Sequence, residues 1–319
     1  MAYTAGDQIL DDQYIAFASN SGAPYGYNHF AGTGSGVYGL GQTALSLVNA
    51  GDTITAAQWN SLFTAMANIA NHTNDTLTST GAVTAGDTIA VKAALQADLA
   101  TLAASVAAGC PNATALSTST ALQTVTTASE GWDSTATQEV SITWASADAM
   151  RFYFNQGGKV RITVGTTQTS TNPKDQAFID LGTALGNIDI GAQATTRSGT
   201  GETLTTDGLA NGFHDLTTGY TTLITLTSDN SNYESNSVRI RAKLDAAVGT
   251  AVTMTIEMVA TDSAADDQYT SPNGSGVPAA VKDTPRMVTT LFAIRPTTGE
   301  GLATVYNESS TATVSNTTT

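Results

Sequence analysis

Residues 150–163 read Met-Arg-Phe-Tyr-Phe-Asn-Gln-Gly-Gly-Lys-Val-Arg-Ile-Thr. Phe152 and Phe154 alternate with Arg151 and Tyr153, and Val160 and Ile162 alternate with Lys159 and Arg161. Between the two arms lies Asn155-Gln156-Gly157-Gly158. Period-two alternation around a glycine-rich turn predicts a β-hairpin, because successive strand side chains point to opposite faces. The two glycines supply the positive φ that such a turn requires. One face of this hairpin is apolar and the other carries Arg151, Lys159 and Arg161.

The same alternation recurs in Ser237-Val238-Arg239-Ile240-Arg241-Ala242-Lys243-Leu244. Val238, Ile240, Ala242 and Leu244 face one way, and Arg239, Arg241 and Lys243 face the other. The two segments hold six of the 12 basic residues of the chain. Such faces are ordinary for half-buried strands. Placed in one sheet, they would also make a basic stripe that sets register against an acidic surface of another copy or of a neighbouring protein.

Period two governs the chain from about residue 136. Strands are expected at 137–145, 150–155, 159–166, 217–228, 236–244, 251–260 and 286–295, and a helix from Asn172-Pro173 to Leu185, with Asn as cap and Pro in the first turn. Several short strands separated by polar turns predict an antiparallel β-sandwich. The segment Ser263–Pro285 reads as a long polar loop within it.

Upstream the period is helical. The pattern Ala-Gly-Asp-x-Ile occurs at 5–9, 50–54 and 85–89, each copy followed by a helical stretch. Thr55-Ala56-Ala57-Gln58 reads as a capping box. The helix it opens places Trp59, Leu62, Phe63, Met66, Ile69 and Ala70 on one face. The first two copies share a Gln-aromatic pair at the same offset, Gln13-Tyr14 and Gln58-Trp59. A third helix, 91–106, carries a narrow stripe of Val91, Leu95, Leu99, Leu102 and Val106, which suits packing on another helix, from this chain or from a copy. The fold class expected is α+β. A helical docking module (1–84) and a helical connector (85–130) precede a sandwich (131–298) and an extended Ser/Thr-rich tail (299–319). A tail without core residues orders only when something pins it, and a neighbouring chain is the expected partner.

Composition narrows function. The chain has 319 residues, 12% charged, about half the usual share. Net charge is −15, and residues 1–150 hold a single base, Lys92. Such a chain repels nucleic acid and anionic membranes. No signal peptide or membrane span is expected. Cys110 is alone, so no internal disulfide is possible. His29, His72 and His214 lie far apart, and the carboxylate pairs Asp11-Asp12 and Asp266-Asp267 read as solvated loop acids. Residues 34–39 match Gly-x-Gly-x-x-Gly, but no strand precedes them, so a Gly/aromatic loop is the reading. No catalytic residues, cofactor or metal site are expected.

Three stretches carry a resemblance. Gly51-Asp52-Thr53-Ile54-Thr55-Ala56-Ala57-Gln58-Trp59-Asn60 resembles the opening module of phage tail-associated proteins. Phe152–Arg161 is similar to an aromatic-Asn-x-Gly-Gly hairpin of virion structural proteins in marine and cyanobacterial tailed phages. Thr289-Thr290-Leu291-Phe292-Ala293-Ile294-Arg295-Pro296 resembles the Arg-Pro strand that closes them. The resemblance implies a non-enzymatic, multimeric virion component, assembled in the host cytoplasm against copies of itself and other virion proteins. No fibre repeat is present, so a tail-fibre, neck or baseplate adaptor fits better than a long fibre. A capsid decoration protein is a second reading. A carbohydrate- or receptor-binding module at the tail tip is a third, with Tyr25, Tyr27 and Tyr38 as surface aromatics for a host glycan. The assembly contacts expected are Arg151, Lys159, Arg161, Arg239, Arg241, Lys243, Leu95, Leu99 and Leu102.

Overall fold

The computed structural model describes residues 11–19, 26–31, 40–73, 75–79, 81–84, 92–108, 116–127, 132, 134–167, 173–230, 233–263, 285–296 and 315–318. The fold is α+β with antiparallel sheets, and it divides into two compact units. The first draws on the described residues up to Leu116 together with Arg151–Gly157 and Pro296. The second draws on Ser117–Met150, Gly158–Arg295 and the strand near the C-terminus.

The first unit is helical: α1 (Asp11–Ala18), α2 (Tyr27–Phe30), α3 (Ala56–Thr73) and α4 (Lys92–Ala108). The capping box at the start of α3 forms as its sequence predicts. The Thr55 N–H donates to Gln58 Oε1 at 2.7 Å, and the Gln58 N–H donates to Thr55 Oγ1 at 3.3 Å. Just before it, Asn49–Asp52 forms a turn with Gly51 at φ +91°, and the Gly51 N–H donates to Asp11 Oδ2 at 2.9 Å. The two Gln-aromatic pairs meet: the Tyr14 and Trp59 rings stand edge to face at 5.8 Å, with Phe17 and Phe63 also against Trp59. Trp59, Leu62, Phe63, Met66, Ile69 and Ala70 are all buried in this core.

Leu95, Leu99, Leu102 and Val106 of α4 join that same core. The stripe is therefore consumed inside the chain, and α4 belongs with α1–α3 rather than to a separate connector. Leu95 and Leu102 are completely covered.

The hairpin expected at 150–163 is only half present. Residues Ala147–Asn155 form a helix, α5, and Lys159–Thr166 a strand, β4. Ser146 caps α5, its Oγ accepting from the Ala149 N–H at 3.1 Å. Every residue from Met150 to Gln156 is buried, Arg151 and Tyr153 included, so only the first turn of the helix, at Asp148, reaches solvent. Gly157 does take a positive φ, +85°, but as the left-handed residue that ends a helix. The Gln156 N–H donates to Phe152 O and the Gly157 N–H to Phe154 O.

In the second unit two six-stranded sheets are built wholly from antiparallel pairs. The first sheet runs β1 (Leu116–Thr118), β11 (Met287–Pro296), β4, β5 (Asn187–Ile190), β6 (Thr195–Arg197), with β2 (Gln123–Thr126) also paired to β11. The second runs β12 (Ser315–Thr318), β3 (Thr135–Thr143), β10 (Thr253–Thr261), β9 (Ser237–Leu244), β8 (Thr221–Thr227), β7 (Thr203–Asp207). Helix α6 (Pro173–Leu185) lies against β4 of the first sheet and against β8 and β9 of the second. Gly182 permits the close approach to β4: a Cβ there would stand 3.0 Å from Val164 O. The strand at 315–318 adds to β3 of its own chain, so no neighbouring chain is required to place it. The expected loop at 263–285 lies almost entirely outside the described residues.

Leu99→Ala should lower stability by about 3 kcal/mol, the usual cost of emptying a buried leucine site. Urea unfolding measures the loss, and the native mass should not change, because Leu99 packs within the chain.

Candidate functional site

The basic residues do not form one stripe. Lys159 and Arg161 lie on β4 in the first sheet, and Arg239, Arg241 and Lys243 on β9 in the second. Arg151 is not on a strand; it lies in α5 and is 5% exposed. Strand register decides what the remaining cations meet.

On the first sheet Arg161 stands directly opposite Asp189. Its guanidinium forks onto the carboxylate, Nε to Oδ1 at 2.6 Å and Nη2 to Oδ2 at 2.8 Å. That hydrogen bonding raises the Arg161 pKa further, against the opposing effect of burial.

On the second sheet register aligns Arg241 (β9), Glu257 (β10) and Glu139 (β3) in one row across three strands. Arg241 donates through Nε and Nη2 to the two oxygens of Glu257, the second contact at 3.0 Å. Tyr220, in the segment entering β8, closes the row, its hydroxyl donating to Glu139 Oε1. The Tyr220 ring also receives two cations, with Arg241 Cζ at 4.4 Å and Lys243 Nζ at 4.3 Å from its centroid. Burial raises the phenol pKa, and the hydrogen bond to Glu139 raises it further. Hydroxyl pairs extend the same face: Ser141 with Thr255 at 2.8 Å and Thr143 with Thr253 at 2.9 Å. Two cations, two carboxylates and a phenol thus satisfy one another. The arrangement clamps β3, β8, β9 and β10 together and offers no carboxylate pair poised for acid–base exchange.

Within the helical unit the polar groups are also structural. His72 is 2% exposed, with Gln42 Nε2 3.4 Å from its Nε2 and Asn155 Nδ2 3.1 Å from its Nδ1. The Phe152 ring meets it edge-on at 4.9 Å. Asp98, on α4, accepts from the backbone N–H and hydroxyl of both Thr78 and Ser79. Burial by itself would raise its pKa, but these four hydrogen bonds together hold it below the ordinary aspartate value.

Of the surface aromatics expected, Tyr27 is buried, 1% exposed, its hydroxyl donating to Thr43 O at 3.2 Å. It cannot serve as an exposed sugar platform. Tyr25 and Tyr38 lie outside the described residues, as do Cys110, Asp266-Asp267, the 34–39 glycine pattern and the first and third Ala-Gly-Asp-x-Ile copies. Among the described residues no three His, Cys, Asp or Glu side chains are grouped to hold a metal ion, and no helix is long and apolar enough to cross a membrane.

Sequence reasoning missed Tyr220, Glu139, Glu257, Asp189 and Asp98. In β3 and β10 Glu139 and Glu257 lie on the faces opposite the apolar residues, and only register shows that Arg241 and Glu257 are opposite each other. Comparison of the chain with protein families, curated proteins and solved structures gives no match.

Arg241→Ala should destabilise the second unit by about 2 kcal/mol, less than the cost of breaking a fully buried pair, because the Arg241 side chain is 30% exposed. The Arg241→Met, Glu257→Leu double variant should recover most of that loss in urea unfolding. Asp98→Asn should cost about 2 kcal/mol at neutral pH through weakened hydrogen bonds to a charged acceptor. Because the folded Asp98 pKa is depressed, its contribution is present above the ordinary aspartate range and lost as pH falls through the folded value. Stability measured from pH 7 down to about pH 3 should therefore fall less steeply in Asp98→Asn than in the unaltered chain.

Proposed function

We propose that the chain is a structural component of a tailed-phage virion, a multimeric adaptor of the tail fibre, neck or baseplate, assembled in the host cytoplasm. The observation that carries this reading is how the chain uses its polar groups. Arg161 and Arg241 are paired to carboxylates on the adjacent strand, and Asp98 and His72 are hydrogen-bonded inside the helical unit. The second sheet turns outward the Arg241–Glu257–Glu139–Tyr220 row, whose charges are paired with one another, together with hydroxyl pairs such as Ser141 with Thr255 and Thr143 with Thr253. At its end, β7 exposes all five of its residues, Leu204 among them at 42%. As an outermost strand β7 leaves one row of backbone groups unpaired by the sheet, and Leu204 beside them offers an apolar contact for another chain, although the strand is short, ends in Asp207 and shifts register between Leu204 and Thr206.

Two of the three stretches that resemble virion proteins have definite structural roles. Gly51–Asn60 forms the turn and cap that launch α3, and Thr289–Pro296 lies on β11, which pairs with β1, β2 and β4. The third is a helix end followed by a strand rather than a hairpin. Burial of Tyr27 weighs against the glycan-binding alternative.

Contacts made through apolar and hydroxyl surface are little screened by salt, whereas contacts between exposed charges are. The purified chain should therefore form an oligomer whose native mass is the same in low and high salt, and Leu204→Lys should dissociate it. A monomer under all conditions would overturn the adaptor reading. An oligomer that dissolves in salt would instead favour a decoration protein held by charge.

A further inference from the structure

Lys174 and Asp262 form an ion pair inside the second unit, Nζ to Oδ2 at 2.5 Å, with side chains 1% and 2% exposed. Lys174 is the second residue of α6 and shares a helical face with Phe178, Leu181 and Leu185, each fully buried. It lies in the first turn, where the helix dipole disfavours a cation. A lysine in that position bears the cost of desolvation as well, and so does the aspartate facing it.

Both groups are held by their surroundings. Asp262 directly follows β10, its N–H donating to Ser134 O at 2.9 Å, and the next residue, Ser263, donates its N–H to Asn236 Oδ1 at 2.9 Å. On the other side, α6 is anchored by Phe178 against the Trp132 ring at 5.1 Å, and the Trp132 indole donates to Pro285 O at 3.0 Å. An amine and a carboxyl group fixed in contact, away from water, are in the position from which condensation proceeds.

We propose that Lys174 and Asp262 become joined by an intramolecular amide bond. A proton first passes from the Lys174 ammonium to the Asp262 carboxylate, giving a neutral amine and a carboxylic acid, the forms an apolar surrounding favours. The Nζ lone pair then attacks Cγ, an N–C bond forms, the C–O bond to one carboxyl oxygen breaks, and that oxygen leaves with two protons as water. No oxidant or co-reactant is needed. The product removes both buried charges and staples the start of α6 to the end of β10. This inference does not depend on the virion reading.

The test is the intact mass of the full-length folded chain, followed by proteolysis and tandem mass spectrometry of the peptides containing Lys174 and Asp262. The chain should be lighter than its sequence mass by one water, with the two peptides recovered as a branched species. K174R and D262A should show the full sequence mass. D262N keeps a group that can condense, with loss of ammonia, and should reach the same mass as the linked unaltered chain. Full sequence mass for the unaltered chain would overturn the proposal whether or not the variants fold. So would a missing water that persists in K174R, or one that maps to another residue.

Discussion

The relation between the two sheets depends on the amide of Gln138. It points inward from β3 in line with Ala136, Val140 and Ile142, and it is completely buried. An amide there would be costly without partners. It has three: its nitrogen donates to Met287 O at 2.9 Å and Val125 O at 3.4 Å, and its oxygen accepts from Thr289 Oγ1 at 2.6 Å. Val125 lies on β2, and Met287 and Thr289 lie on β11, so one side chain of the second sheet is bonded to two strands of the first. Strand side chains have a period of two, so a slip of one residue in β3 would turn this amide outward and its apolar neighbours with it. The pairing of β3 with β10, and through β10 with β9 and β8, is thereby tied to the first sheet.

What the sequence made legible follows from one-sided burial. Strand β9 alternates in burial along its whole length and β4 does so as far as Val164, and β4 occupies the residues expected of it, 159–166. Helices α3 and α6 carry explicit start signals, a capping box at Thr55 and proline at 173, and both begin there. The misreading of 150–155 has the opposite cause. When a segment is buried all round, alternation of Phe and polar residues says nothing about faces, and Ser146 with Asp148 was the better indicator. Strands β5, β6 and β7 escaped because they are three to five residues long, and β7, exposed throughout, has no buried face to generate a period. Whether the Leu95–Leu102 stripe would meet its own chain or a copy was likewise beyond a pattern, since both surfaces reward the same spacing.

The electrostatic lesson is similar. A run such as Arg239-Ile240-Arg241-Ala242-Lys243 looks like a patch awaiting a partner because sequence displays charges of like sign side by side. Cross-strand neighbours are far apart in sequence, so the carboxylates opposite are invisible until register is known. Arg241 with Glu257 and Arg161 with Asp189 are such neighbours. Pairing these cations at home leaves the net charge of −15 unchanged, so like copies repel at long range and attraction between them has to come from short-range contacts.

That division bears on how an assembly of such chains could be specific. Surface ion pairs are worth little and are screened, so a chain that used its few charges between copies would gain a weak, salt-sensitive contact. Here they act where register must be held, and the phenol of Tyr220 binds the row together from above. Specificity between copies must then come from shape, hydroxyl hydrogen bonds and exposed apolar residues, of which Leu47, Leu116 and Leu204 are the large ones among the described residues. Contacts of that kind demand a rigid presenting surface, because a mobile one would pay ordering entropy at every interface. The Gln138 bonds between the sheets and the buried Lys174–Asp262 pair between α6 and β10 both supply that rigidity from within a single chain.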